Sequence, residues 1–507
     1  MKEANSLTSL SNHTTMKKYF LLLACFIFSI SALLHAQTNI YVQNINKAGI
    51  DLRGAVTELG RIDVDFPSDG YVVVHFDGEC YADVGDRIVL AASENGEWSS
   101  NDGNVSIENS KPGFGRPFSH TRKYPVTSGS HTYYAVGQNF VETDGSGFAT
   151  IYGTLTVEYF PDSGLSRVQS TGFVFNGDVT NTTVVKEQTI HVNAPGKIVV
   201  RFDGFITSSE SDRIVLAASN TMNWSFNDGN VAVEAVNDGG DVDENSFSHT
   251  RVYNVNSAGD YTYYALAQVY GKAFGTGMIW VYGNLLVEYF PAEDHEKILF
   301  SGFSHTELDL NSGPMPLTSV DLNAPESGKV MVVLDGYFTA NPGYSIVLAA
   351  SDNGEWTPND GNVTLEALDL DQNRYSFSHT RVYNIAAGPH TFYGVGEIFG
   401  GSGSKTADLF GAITVKYIPY TATAINEIAA SENTFDIYPN PSNDMAQLAF
   451  KKPTDQEEKI QLLDVSGRVI KEYRNNGKEE MIIDLSAFPA NQYWIKVGAC
   501  TRPIIRL

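Results

Sequence analysis

The chain has 507 residues, too many for one hydrophobic core and enough for several. An apolar content of 42% excludes a disordered chain, and 59 acidic against 34 basic residues, a net charge of −25, excludes the basic surface that nucleic acid requires. Charge of this sign keeps an exposed protein soluble, and its acidic loops are also where Ca²⁺ finds the oxygen ligands it needs.

In chain order, the first feature is "MKKYFLLLACFIFSISALLHAQ" from Met16: two lysines, an apolar run, then small residues near Ala36. This is the pattern of a secretory signal peptide cleaved after Ala36, with Met1–Thr15 a polar extension upstream of the working start. "LLAC" at Cys25 imitates a lipoprotein box, but the apolar run continues past it. No later stretch has the roughly 20 apolar residues of a membrane-spanning helix. After cleavage Cys80 and Cys500 remain, which provides neither a disulfide framework nor a thiolate metal site.

From about residue 40 the chain is rich in Tyr, Phe, Val, Thr, Gly, Asn and Asp, a composition of strands joined by tight turns. It also repeats. "DRIVLAASENGEWSSNDGNVSIE" from Asp86 recurs as "DRIVLAASNTMNWSFNDGNVAVE" and "YSIVLAASDNGEWTPNDGNVTLE". Each copy continues to "FSHTR", ending at Arg122, Arg251 and Arg381, and then to "YGTLTVEYFP", "YGNLLVEYFP" or "FGAITVKYIP". The period of roughly 130 residues is that of a whole domain, so residues 40–161, 166–291 and 297–419 are read as three tandem modules. "GTLTVEYFP" alternates apolar and polar residues, "NDGN" is a tight-turn signal, and about eight such strands per copy predict a β-sandwich. In strand layout alone the copies loosely resemble tumour-necrosis-factor-type jelly rolls. The predicted class is all-β.

Positions kept in all three copies are candidate sites. On a strand, Phe118, His120 and Arg122 share one face and Ser119 and Thr121 the other, which separates the Ser and His of a would-be catalytic pair. A half-buried Arg needs a carboxylate, so a structural clamp is expected from His120 and Arg122, His249 and Arg251, and His379 and Arg381. Its partner is sought in the aspartates Asp77, Asp203 and Asp335, or in the turn aspartates Asp102, Asp228 and Asp360. Asp86–Arg87 is replaced by Tyr344–Ser345 in the third copy and is not a required pair. For binding, the stronger candidates are Trp98, Asn101 and Asp102, with their counterparts Trp224, Asn227, Asp228 and Trp356, Asn359, Asp360. Aromatic faces beside amide and carboxylate groups on loops suit sugar rings, although a Trp in that setting also serves to anchor its own loop. No metalloprotease, serine-hydrolase, P-loop or dinucleotide motif is present, so no catalytic residue is assigned. Carboxylate pairs that cleave polysaccharides have no sequence signature, and that class stays open.

A small, polar linker at 420–434 leads to a different region, 435–507. Pro439-Asn440-Pro441, then "LLDVSGRVI" with Asp464, Gly467 and Arg468, then "LSAFPANQYWIKV" with Tyr493, resemble in order and spacing the type A C-terminal sorting domain of the type IX secretion system. The resemblance implies a small β-sandwich recognised by that secretion machinery, and export to the outer surface of a Gram-negative bacterium or into the medium. The expected protein is therefore an exported multi-module binding or adhesion protein whose partner is extracellular polysaccharide, matrix or cell-surface glycan. A non-binding structural surface protein and a polysaccharide-active enzyme are the alternatives.

Overall fold

In the computed structural model, the described residues are 38–506 apart from 100–104, 109–114, 142–144, 163–166, 209–212, 226–230, 235–243, 271–276, 293–295, 311–312, 341–343, 358–362, 367–373, 401–404, 421–434, 439–441, 443, 451–456, 464–467, 477, 490 and 498–499. The expected signal peptide lies outside them. Every regular element among them is a β-strand.

The first eight strands are β1 (Asn39–Asp51), β2 (Thr57–Phe66), β3 (Gly70–Ala82), β4 (Arg87–Ser93), β5 (Val105–Glu108), β6 (Gly115–Val126), β7 (Gly129–Val141) and β8 (Phe148–Pro161). They form two four-stranded antiparallel sheets in the orders β1-β8-β3-β6 and β2-β7-β4-β5. Two interleaved four-stranded sheets of this order are a jelly roll. The second set, β9 (Val168–Asp178) to β16 (Met278–Pro291), and the third, β17 (Lys297–Asp309) to β24 (Thr406–Pro419), repeat both orders. Each encloses its own core: Phe76, Phe118, Leu155 and Tyr159 in the first, and Phe202, Phe247, Leu285 and Tyr289 at matching positions of the second.

The positive φ of 152° at Gly78, right after Asp77, has a steric reason. A Cβ there would stand 2.1 Å from the Tyr152 carbonyl oxygen of the paired strand. Gly204 and Gly336 repeat the arrangement at φ 145° and 156°.

The three sandwiches are not beads on a string. They pack into one compact unit that ends at Thr421. Apolar side chains at the start of a first strand and on the sheets behind it form shared clusters: Val73 and Phe160 with Val168, Val199 and Phe290, and Ile40 with Met331, Val333 and Ile418. The second cluster joins the last sandwich to the first.

A second unit spans Ala422–Leu507 and is described on its own. Its strands β25 (Phe435–Tyr438) to β31 (Cys500–Arg506) make a three-stranded and a four-stranded sheet around Phe435, Leu448, Ile460, Ile483 and Ile495. The final strand includes Pro503 and still pairs with its neighbour along its length.

Candidate functional site

The "FSHTR" segment lies in β6 and its two counterparts, β14 (Glu244–Val255) and β22 (Tyr375–Ile385), and its two faces do different work. His120 points into its own sandwich, where Nδ1 accepts a 2.8 Å hydrogen bond from the backbone N–H of Ala92 on the opposite sheet. His249 accepts from Ala218 and His379 from Ala350 at the same distance. Two residues beyond each Arg, the hydroxyls of Tyr124, Tyr253 and Tyr383 donate to the carbonyls of those same alanines at 3.3, 3.2 and 3.2 Å. Each His–Tyr pair thus pins one sheet of the sandwich to the other. Burial holds His120 down to about 3, so its ring is neutral, and an accepting Nδ1 puts the proton on Nε2.

The other face leaves the sandwich. Thr121 and Ser119 both donate to the Asp203 carboxylate of the second sandwich, Ser119 at 3.4 Å. Ser248 donates to Asp335 of the third at 3.5 Å, with Thr250 beside it. Ser378 and Thr380 donate to Asp77 of the first, at 3.0 and 2.7 Å. The cycle of first to second, second to third and third to first closes. These residues are all buried to within a few per cent.

A lysine marks each seam too. Lys123 Nζ donates to the Val168 carbonyl, Lys197 to Ile298 and Lys329 to Ile40, each at 2.6 Å. Here the copies differ in sequence and agree in contact. The first sandwich has Tyr71 where the others have Lys197 and Lys329, and its lysine has moved to the adjoining strand, where the others carry Val252 and Val382. Lys123 then lies 4.0 Å above the Tyr71 ring.

Where the three sandwiches meet, equivalent positions carry unlike residues. Glu158, Glu288 and Lys416 occupy one such position, and Lys416 Nζ reaches Glu158 at 3.1 Å and Glu288 at 2.5 Å. His75, Arg201 and Val333 occupy another; Arg201 Nη1 donates to His75 Nδ1 at 2.9 Å, and His75 Nε2 lies 3.2 Å from Asp77. Burial pushes Glu158 up against the pull of Lys416, Asp203 up to about 6 and Asp335 up to about 7. Burial and the adjacent Arg201 take His75 down to about 4.

Register decides one of the sequence expectations. Asp77 pairs across the ladder with Ser119, and Val74 with Arg122. Directly paired residues share a face, so Asp77 lies on the face of Ser119 and Thr121, opposite His120 and Arg122. The carboxylates of Asp77, Asp203 and Asp335 therefore serve the seams and are not the within-module partners of Arg122, Arg251 and Arg381. The other candidate partners, Asp102, Asp228 and Asp360, fall outside the described residues, as do Asn101, Asn227 and Asn359. Ser119 and His120 do not form a nucleophile–base pair.

The tryptophans sit half-buried on loops after the fourth strand of each sandwich. Each indole N–H is already bonded: Trp98 to Gln138 at 2.6 Å, Trp224 to Gln268 at 2.7 Å and Trp356 to Glu397 at 2.7 Å. Each ring also meets a second aromatic nearly edge-on, Phe140, Tyr270 or Phe399, with centroids 5.3 to 5.6 Å apart. Phe140 is 54% and Tyr270 39% exposed. Sequence reading missed these partners; the signal was an aromatic two residues after the Gln or Glu in "GQNF", "AQVY" and "GEIF". Below Trp98 is a cavity of about 120 Å³ lined by Glu94, Trp98, His120, Arg122 and Tyr124, and Trp356 has a smaller counterpart of about 40 Å³ with His379, Arg381 and Tyr383. The structure so brings together the Trp loop and the His/Arg face that the sequence had treated as separate features. No cluster of three metal-ligating side chains occurs among the described residues.

In the C-terminal unit, Tyr493 is buried and its hydroxyl donates to the Pro489 carbonyl at 2.7 Å, while Arg468 is exposed. Pro439, Asn440, Pro441, Asp464 and Gly467 lie outside the described residues. No helix among the described residues is long and apolar enough to cross a membrane.

Among solved structures, the chain is similar to an archaeal virus protein with a triple jelly-roll fold and turret assembly (11% identity, 76% of this chain and 90% of that one, TM-score 0.19). It is also similar to PNGF-II (10% identity, 69% and 99%, TM-score 0.22) and to a Paenibacillus xanthan lyase (11% identity, 76% and 53%, TM-score 0.16). Likenesses this slight carry no function across. No curated protein matches the chain. Residues 436–506 match the family model of the secretion system C-terminal sorting domain. That tail marks the chain for export to the cell surface or beyond, and residues 436–506 are a type IX secretion C-terminal sorting domain carried behind three fused jelly rolls.

Proposed function

We propose that the exported protein is a three-site binding protein that engages extracellular polysaccharide, matrix or cell-surface glycan through the surfaces around Trp98, Trp224 and Trp356. The observation that carries this reading is the repeated aromatic corner. In each sandwich an anchored indole stands nearly perpendicular to a second ring, which is exposed at Phe140 and Tyr270 and half-buried at Phe399. With the indole N–H already bonded, the ring faces and the exposed edge of the second aromatic are what a ligand meets, and apolar sugar faces stack on such surfaces. Three weak sites held on one compact body gain affinity through effective concentration. In this reading the signal peptide takes the chain across the inner membrane, and the tail engages the type IX machinery.

The test is a triple variant, Trp98→Ala, Trp224→Ala and Trp356→Ala, assayed on a glycan panel and on extracellular polysaccharide. Loss of binding with an unchanged circular dichroism spectrum is expected. A folded triple variant that binds as well as the parent rules the proposal out.

A further inference from the structure

We infer that the last sandwich is exchangeable between two copies of this chain, its partner surfaces being the Asp77 and Ile40 face of a second copy's first sandwich and the Ser248 and Lys197 face of that copy's second sandwich. The three seams are chemically the same: a Ser–Thr pair on an aspartate, and a lysine on a carbonyl at the start of the next first strand. Only two of them are reinforced by the chain itself, through residues 162–167 and 292–296. The third, between the last sandwich and the first, is closed among the described residues by side-chain contacts: Ser378 and Thr380 on Asp77, Lys329 on the Ile40 carbonyl, Met331 and Ile418 on Ile40, and Lys416 on Glu158. A head-to-tail interface of this kind does not distinguish its own chain from an identical one, which is the condition for domain exchange.

The unlike residues at the centre restrict the product. A ring with one copy of each sandwich holds two carboxylates and one ammonium at Glu158, Glu288 and Lys416. A ring with two first sandwiches and one second would bury three carboxylates together, which repulsion and desolvation oppose. Exchange therefore has to keep one copy of each sandwich in every ring, and the last sandwich taken for the last gives a closed dimer of two complete rings. Such a dimer doubles the number of Trp sites without any new contact type.

Charge complementation tests this on the full mature chain. Lys416→Glu leaves three carboxylates and no ammonium at the centre; Glu158→Lys leaves two ammonium groups and one carboxylate. If the last sandwich is exchanged between the two variants, both resulting rings regain two carboxylates and one ammonium. Co-refolding the variants, each with a different tag, should give a heterodimer by size exclusion with light scattering, melting close to the parent. Parent protein refolded at tenfold higher concentration should show a dimer-to-monomer ratio about tenfold higher. A variant mixture that behaves as the sum of its parts, whether as separate monomers or as aggregates, overturns the inference. So does parent protein that stays monomeric at every refolding concentration.

Discussion

Thr380 donates a 2.7 Å hydrogen bond to Asp77, 303 residues earlier in the chain, and so ties the last sandwich to the first. Both groups are buried, Thr380 completely, and Ser378 reaches the same carboxylate. The same bond type recurs at the other two seams. "FSHTR" is consequently a two-sided device: Phe and His build the sandwich, Ser and Thr build the ring.

The central ion cluster should be costly to disrupt. Lys416→Met leaves Glu158 and Glu288 buried and facing one another without their cation, a loss of about 3–5 kcal/mol for a buried pair stripped of its partner. Adding Glu158→Gln should recover a part of that loss, because a neutral amide needs no counter-ion. Urea denaturation of the single and double variants measures both.

Among these buried groups three raised carboxylates outweigh two lowered histidines, so their net contribution to stability should fall as pH rises from about 5 to 7. Asp203 at about 6, Asp335 at about 7 and the raised Glu158 bind protons more tightly folded than unfolded, so their contribution falls as pH rises from about 4 to 7. His75 at about 4 and His120 at about 3 work oppositely, and their contribution rises with pH up to about 6.5. Asp77, held below its ordinary value by His75, His379 and Thr380 despite burial, matters only at lower pH. As pH rises through about 6.5 the unfolded imidazoles lose their charge and the histidine contribution levels off, while the raised carboxylates go on titrating. The melting temperature should therefore drop between pH 6.5 and 7.5, and Asp335→Asn should flatten the slope.

His120 is a staple and should behave as one. His120→Leu keeps the bulk but leaves the Ala92 N–H buried without its acceptor, costing about 1–3 kcal/mol. Tyr124→Phe should cost about 1 kcal/mol, because its bond to the Ala92 carbonyl is longer. Since the two share Ala92, the double variant should depart from additivity in a thermal-melt cycle.

Removing Phe435–Leu507 should abolish export and leave the three sandwiches in the periplasm, because residues 436–506 are the sorting domain. Cell fractionation with an antibody to the first sandwich reads this out. Accumulation in the medium at the parental level contradicts that role.

Much of this was legible from residues alone, and the gaps have physical reasons. Repetition of "FSHTR" located the copies, and strand alternation correctly separated Ser119 and Thr121 from His120. Alternation says which residues share a face of one strand, but only register says which neighbour shares it. Asp77 stayed one of two candidate partners for Arg122 because nothing in the sequence places it opposite Ser119. The central cluster was hidden for another reason. Comparing copies rewards identity, and Glu158, Glu288 and Lys416 matter because they differ. The same holds for Lys123, which does at one position what Lys197 and Lys329 do at another.

The closed ring is tested most directly by a double-mutant cycle across the seam that no peptide link spans. Thr380→Val, Asp77→Ala and the double variant, measured by urea denaturation, isolate the coupling between the last sandwich and the first. A hydrogen bond to a buried carboxylate should give a coupling of about 1.5–3 kcal/mol. A coupling indistinguishable from zero, with all three variants folded, contradicts the ring.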